Sequence, residues 1–392
     1  MTGSAHRRRP SPVRLLQGTA LVSTLDRFAM PPMLVAIALD LSIPLSQVVQ
    51  AAGGYFLAYG LLQPVWGMVS DRFGVVRTLR ITLLLSAVAT AASALALSPL
   101  AFGLLRCLAG GFFGAVFPAA LIYVGDTVPA VRRQREITRL MTGLALGTAT
   151  ASIGAGVLAH LVSWRAVFLL TGVAGLGLSI ALRHLAEPAA ARTRRLATSV
   201  VLAVRSRSTV LILLLAFTEG AVLLGALTLL PPAVEAMGVS SSVAGAVTAL
   251  YGVSVFASAH LVGRLSQRYH PSRLIALGGA ASLVACVLMA VSQQPPVAGV
   301  VAALLGLAWA AMHSSLQTWA TEVLPAARAT VVSLFAGSLF LGSAAAAVLV
   351  SGLAEAARYR EIFLLAAAIT VPLALLATWG RATWLRPDQE PA

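Results

Sequence analysis

Twelve apolar windows, each long enough to cross the hydrocarbon core of a bilayer, succeed one another along this 392-residue chain. They fall at roughly 15–39, 47–69, 77–97, 100–124, 138–162, 165–185, 209–234, 242–265, 273–292, 296–320, 329–354 and 362–384. The expectation is an all-α membrane protein of twelve transmembrane helices. Composition agrees, because apolar residues make up 58% of the chain and charged residues only 10%. A water-soluble protein carries charge on about a quarter of its positions. Most of this surface must face lipid.

The net charge of +15 could suggest a nucleic-acid partner, so its distribution matters more than its size. Every basic residue is an arginine, and the arginines gather in alternate connectors: Arg7 to Arg9 and Arg14, Arg72 to Arg80, Arg132 to Arg139, Arg183 to Arg207, Arg264 to Arg273, Arg328, and Arg381 with Arg386. The intervening connectors hold only Arg165, Arg358 and Arg360. That alternation follows the positive-inside rule and puts both termini in the cytoplasm of a multi-pass inner (plasma) membrane protein. No soluble basic face with stacking aromatics is present, so no nucleic-acid partner is expected. The absence of lysine removes the phosphate-binding residue of a P-loop and the amine of a Schiff-base enzyme. Cys107 and Cys286 sit far apart in apolar runs, which suggests neither disulfide nor metal site. No cofactor is expected, and the chain is read as a monomer in lipid. The apolar run after Arg7 to Arg9 extends through Asp26, Pro31 and Pro32, too far and too interrupted for a cleaved signal.

The two halves of the chain repeat each other. Gly67 and Gly263 stand 196 residues apart, and the same offset pairs Tyr55 with Tyr251, Arg72 with Arg268, Arg77 with Arg273, Pro99 with Pro295, Gly110 with Gly306, Asp126 with Glu322, Pro129 with Pro325 and Arg132 with Arg328. Six spans per repeat imply parallel halves related by an axis along the membrane normal, able to rock about a central site. The expected division is 1–185 for the first bundle, 186–208 for a cytoplasmic linker and 209–392 for the second bundle.

Between spans two and three the chain reads Gly67-Met-Val-Ser-Asp71-Arg72-Phe-Gly74-Val-Val-Arg77. This pattern resembles the signature of the major facilitator superfamily, and Gly263 to Arg273 repeats it with Gln267 for the acid and His270 for the glycine. The resemblance implies a cytoplasmic gate formed by Gly67, Asp71, Arg72, Gly74 and Arg77. Physically, Gly67 would let span two approach the other bundle, and Asp71 would cap the next helix and pair with an arginine. Two further elements resemble the drug:proton antiporter branch. Arg106-Cys-Leu-Ala-Gly110 in span four is similar to its Arg-x-x-Gln-Gly element, with Ala109 for the glutamine. Gly143, Gly147 and Gly156 precede Trp164-Arg165, but Ala151 and Ser152 stand where that branch has a Gly-Pro step.

Ionisable residues at bilayer depth cost about 2.5–3.5 kcal/mol on insertion scales, so each invites a function. Asp26 and Arg27 lie midway along span one, Arg106 in span four and Glu219 midway along span seven. The repeat offset sets Glu219 opposite Ser23, one turn from Asp26, which predicts that both acids approach one cavity from opposite bundles. Asp26 and Glu219, with Arg106, are the expected proton-coupling groups; an Asp26–Arg106 structural ion pair is the competing reading. Trp309, His313 and Gln317 share one face of span ten, and Phe113 and Phe117 occupy the repeat positions in span four. With Arg27 they form the expected substrate cavity, whose aromatic walls suit a lipophilic ligand. His260 in span eight is read as buried and structural. The chain has no asparagine, and only Gln63 and Gln317 lie deep in spans, which disfavours sugars. Two acids balance two arginines, so residue counting leaves the ligand's charge open. The leading expectation is a secondary transporter exporting lipophilic small molecules in exchange for protons; the alternative is a symporter or facilitator taking up a small metabolite. Neither His-Glu-x-x-His nor Gly-x-Ser-x-Gly occurs, and no enzyme is expected.

Overall fold

A computed structural model describes residues 12–188 and 196–384. Arg7 to Arg9, Arg192 to Arg195 and Arg386 lie outside the described residues. The first half contains α1 (Pro12–Ala29), a 3₁₀ turn at Pro31–Met33, α2 (Leu34–Leu41), α3 (Leu45–Phe73), α4 (Val75–Ser93), α5 (Pro99–Phe113), α6 (Val116–Thr127), α7 (Ala130–Leu161) and α8 (Trp164–Ala181). After the connector helix α9 (Leu196–Arg205) come α10 (Arg207–Glu219), α11 (Gly225–Glu235), α12 (Ser241–Leu265), α13 (Pro271–Val291), α14 (Pro295–Ala308), α15 (Ser314–Glu322), α16 (Arg328–Glu355) and α17 (Tyr359–Thr383).

Among the described residues these helices form twelve long segments, straight or interrupted. Ten are long and apolar enough to cross a bilayer alone, and an eleventh is the α1–α2 pair, bent by 41°. The remaining segment, α3, has ample length at 29 residues but is less apolar, since it carries Gln47, Gln50, Gln63, Tyr55 and Tyr59. Spans one, four, seven and ten are all interrupted: by the 3₁₀ turn, by Gly114–Ala115, and by π turns at Gly220–Leu224 and Trp309–His313. Such breaks free backbone groups and re-aim side chains, and in membranes they are tolerated only inside the protein or along a cavity.

The halves meet along α3 with α16 and α7 with α12. At the end remote from the arginine-rich connectors the contact is tight. A Cβ on Gly245 would overlap the Ser152 carbonyl oxygen there, and midway along the seam one on Gly60 would lie 2.8 Å from the Gly337 carbonyl oxygen, so only glycine fits at these crossings. Met30, Met33, Leu34, Leu227, Leu230, Val234 and Tyr251 fill the same end as one apolar cluster. Polar ties add to it, with the Ser46 amide donating to Glu355 Oε2 at 2.8 Å and Gln50 Nε2 to Ser351 Oγ at 3.1 Å. Seven residues beyond Gly60, on the same face, a Cβ on Gly67 would meet nothing within 4 Å. The bundles therefore diverge toward the arginine-rich side.

Candidate functional site

The divergence encloses a cavity of about 1250 Å³ between the halves. Its mouth holds Gly67, Asp71, Arg72, Gly74, Asp126, Glu187 and Arg328, and its depth holds Arg27, Tyr59, Gln63, Trp309, His313 and Phe340. The signature loop departs from expectation at three points. Gly67 makes no close approach, because the bundles are apart at this end. Asp71 is exposed and makes no ion pair within 4 Å among the described residues, for the same reason. The cap expected from Asp71 is supplied by Glu187, which accepts from the Val76 and Arg77 amides at 2.9 and 3.1 Å. Gly74 takes φ +96°, and its missing side chain leaves room for that carboxylate. Arg77 contributes only its backbone here, and its side chain does not line the cavity.

In α1 the residues that line the cavity are Ala20, Ser23, Thr24, Arg27 and Phe28, related by three- and four-residue steps along one helical face. Asp26 stands about 100° round the helix from Arg27 and looks into its own half. It is fully buried and accepts from Arg106 Nη2 at 2.7 Å, Arg106 Nη1 at 3.1 Å and Thr90 Oγ1 at 2.9 Å. Arg106, also fully buried, lies over the rings of Phe168 and Tyr55 at 4.6 and 4.8 Å. The expectation that Asp26 approaches the shared cavity is thus corrected: repeat symmetry set the right helix, but a one-residue phase turned the carboxylate toward α4 and α5. The two-pronged pairing matches guanidinium to carboxylate geometry.

Glu219 is likewise fully buried and does not itself line the cavity. Its Oε2 lies 3.2 Å from His313 Nδ1, while Oε1 has no hydrogen-bond partner. The carboxylate is set by a tight crossing, since a Cβ on Gly220 or Gly342 would overlap the backbone of the facing helix. Both partners adjoin π turns, at Gly220–Leu224 and Trp309–His313. The π turn in span ten stacks Trp309 on His313 with centroids 3.9 Å apart, and Phe335 tilts against the imidazole at 5.7 Å. His313 lines the cavity and so stands between Glu219 and the space where ligand or water enters.

Trp309, His313 and Gln317 all line the cavity, as does Phe117. Phe113 does not; it is fully buried in an apolar cluster built mostly from the first half. His260 is exposed rather than buried, with Nδ1 bonded to the Phe256 carbonyl. Sequence reasoning missed Tyr59 and Phe340, whose rings lie 5.4 and 5.6 Å from the Arg27 guanidinium, and Thr90 and Glu187, which serve the acid and the loop. No motif marks these four. Among the described residues no group of His, Cys, Asp or Glu could hold a metal ion.

Comparison with known proteins agrees with this architecture. The family model described as Major Facilitator Superfamily matches residues 18–332 and 213–392. The chain is 26% identical over 325 residues to the multi-drug resistance efflux pump PmrA of Streptococcus pneumoniae serotype 4, covering 78% of this chain and 79% of that protein. It is 25% identical over 171 residues to the MFS-type transporter clz19 of Cochliobolus lunatus, covering 44% of this chain and only 32% of that protein. Among solved structures, a bacterial homologue of the human lysosomal transporter Spinster, inward-facing and unoccupied, superposes with TM-score 0.78 at 18% identity, covering 98% of this chain and 100% of that one. Two repeated halves, interrupted spans about a central cavity and the family match together place this chain in the Major Facilitator Superfamily, as a multi-pass membrane transporter of small molecules rather than an enzyme.

Proposed function

We propose that this chain exports lipophilic small molecules in exchange for protons, by alternating access across the plasma membrane. The observation that carries the reading is the Glu219–His313 pair: a buried carboxylate with one unpartnered oxygen, joined at 3.2 Å to an imidazole that faces the cavity. A proton taken up by Glu219 passes through His313, which can hold and relay it because its ring has two nitrogens. Asp26 is the second acid. A proton arriving there must release Arg106, so uptake at Asp26 is tied to rearrangement of the first half.

The open side is the cytoplasmic one on the positive-inside rule, with both termini on that side. Residues 1–185 and 209–392 move as two bodies joined by the 186–208 linker, and the chain works as a monomer. When the cavity turns outward, the Gly67–Arg77 loop closes against the second half. Two relatives support export by their names: PmrA, and the tetracenomycin C resistance and export protein of Streptomyces glaucescens, 32% identical over 162 residues but covered for only 29% of its length. Aromatic lining by Phe117, Trp309 and Phe340 supports a lipophilic cargo.

The test is dye flux in proteoliposomes under an imposed pH gradient. Glu219→Gln keeps the hydrogen bond to His313 but removes the exchangeable charge, and flux is expected to fall to the level of protein-free liposomes with folding and insertion unchanged. Asp26→Asn is expected to lose proton-driven flux as well. Unaltered gradient-driven flux in Glu219→Gln sinks the reading.

A further inference from the structure

Counting residues leaves the cargo's charge undecided, because two acids face two arginines. The geometry removes three of the four from the count. Asp26 and Arg106 neutralise each other away from the cavity at 2.7 Å, and Glu219 sits behind His313. Arg27 is left. It lines the cavity with no carboxylate within 4 Å among the described residues. Among the described residues its polar contact is a single long hydrogen bond, Nη1 to Tyr59 Oη at 3.5 Å, and its Nε is buried with no partner. A guanidinium has five N–H donors, so most of this one's capacity is unused.

The surroundings explain how an unpaired cation is tolerated at this depth. The guanidinium carbon lies 4.8 Å from the Phe28 ring centroid, 5.4 Å from Tyr59 and 5.6 Å from Phe340. Such ring faces stabilise a cation, but by less than a matched anion provides. The other acids on the cavity wall, Asp71, Asp126 and Glu187, lie at the mouth by the connectors, Glu187 being already engaged as a helix cap.

From this we infer that the cavity takes lipophilic monoanions, with the acidic group of the cargo seated on Arg27 and its apolar body between the Phe28, Tyr59 and Phe340 rings and the Trp309 and Phe117 side. This assignment rests on the exporter reading above and names its substrate class. A carboxylate or sulfonate satisfies the idle N–H donors through charge-assisted bonds, whereas a cation meets Arg27 unshielded. The rings select against small hydrophilic anions, which cannot replace the water that they displace.

The experiment uses three fluorescent probes of one shape: 1-pyrenebutyric acid, its methyl ester and a pyrenebutyl trimethylammonium salt. Binding is titrated to the full chain in nanodiscs. The acid is expected to bind at least about tenfold tighter than the ester or the ammonium, the increment of one good charge-assisted contact. Arg27→Gln should bring the acid down to the ester's affinity without changing the ester, and Arg27→Lys should keep part of the preference. Equal or tighter binding of the ammonium to the wild-type protein overturns the inference without recourse to any variant, as does an acid preference that survives in Arg27→Gln. Proton-driven flux of the same probes separates the two levels. Flux of the ester or ammonium with no preference for the acid leaves the exporter reading standing and removes the anion site. Tight acid binding that depends on Arg27, with no proton-driven flux of any probe, upholds the anion site and removes the exporter reading.

Discussion

The first half of the molecule buries its acid against an arginine, and the second half buries its acid against a histidine. Asp26 receives three hydrogen bonds of 3.1 Å or less, two of them from a guanidinium that has no exposure of its own. Glu219 has one contact of 3.2 Å and an oxygen with no partner, beside two π turns. Both halves face the same cost of placing a carboxylate in lipid. The first meets it with a two-pronged guanidinium and a hydroxyl; the second meets it with one imidazole contact and leaves one carboxylate oxygen without a partner. Repeat-related helices thus each carry a buried acid, one turn apart in register, and local partners clasp one of them more fully than the other.

The comparison breaks most readily at the clasp. Arg106→Ala leaves Asp26 buried and uncompensated, so a loss of about 3–5 kcal/mol is expected, read as a large drop in thermal unfolding temperature and folded yield in detergent. His313→Ala should cost clearly less; if the two costs are equal, the halves do not differ as described. Thr90→Val tests the same clasp more gently. It removes one hydrogen bond to a charged group and should cost about 1.5–3 kcal/mol in the same assay. The smallest change in stability is expected from the double variant Asp26→Leu with Arg106→Met, because replacing both members of a buried pair by apolar groups leaves no orphan charge. It should unfold within about 1 kcal/mol of the wild type. Its flux then sharpens the contrast, since a stable but inactive double variant assigns Asp26 a part in coupling that stability alone does not explain.

Much of the fold could be read from the chain. Window length marked the long apolar helices, ten of which span a bilayer alone with the α1–α2 pair an eleventh, and the signature loop marked the family. The site was legible in part. Trp309, His313 and Gln317 were placed on the cavity by helical spacing, and Phe117 by the repeat offset. Phe113 was not, because it packs into the apolar cluster of its bundle rather than toward the opening, and which face a helix buries is decided by its neighbours. Asp26 was assigned to the right helix and the wrong face by one residue. Gly67 has the composition of a contact point but stands open in this conformation, while Gly60, outside any motif, makes the contact.

What the sequence determined by itself is what depends on the solvent: an all-helical chain for lipid, because backbone groups in hydrocarbon are satisfied only within helices or closed barrels and these apolar windows have helical length. What the tertiary structure alone decided is which charges cancel. Pairing energies fall within a few ångströms and a fraction of a helical turn, so whether Arg27 or Arg106 meets Asp26 depends on phase and bending that arise only when the helices pack.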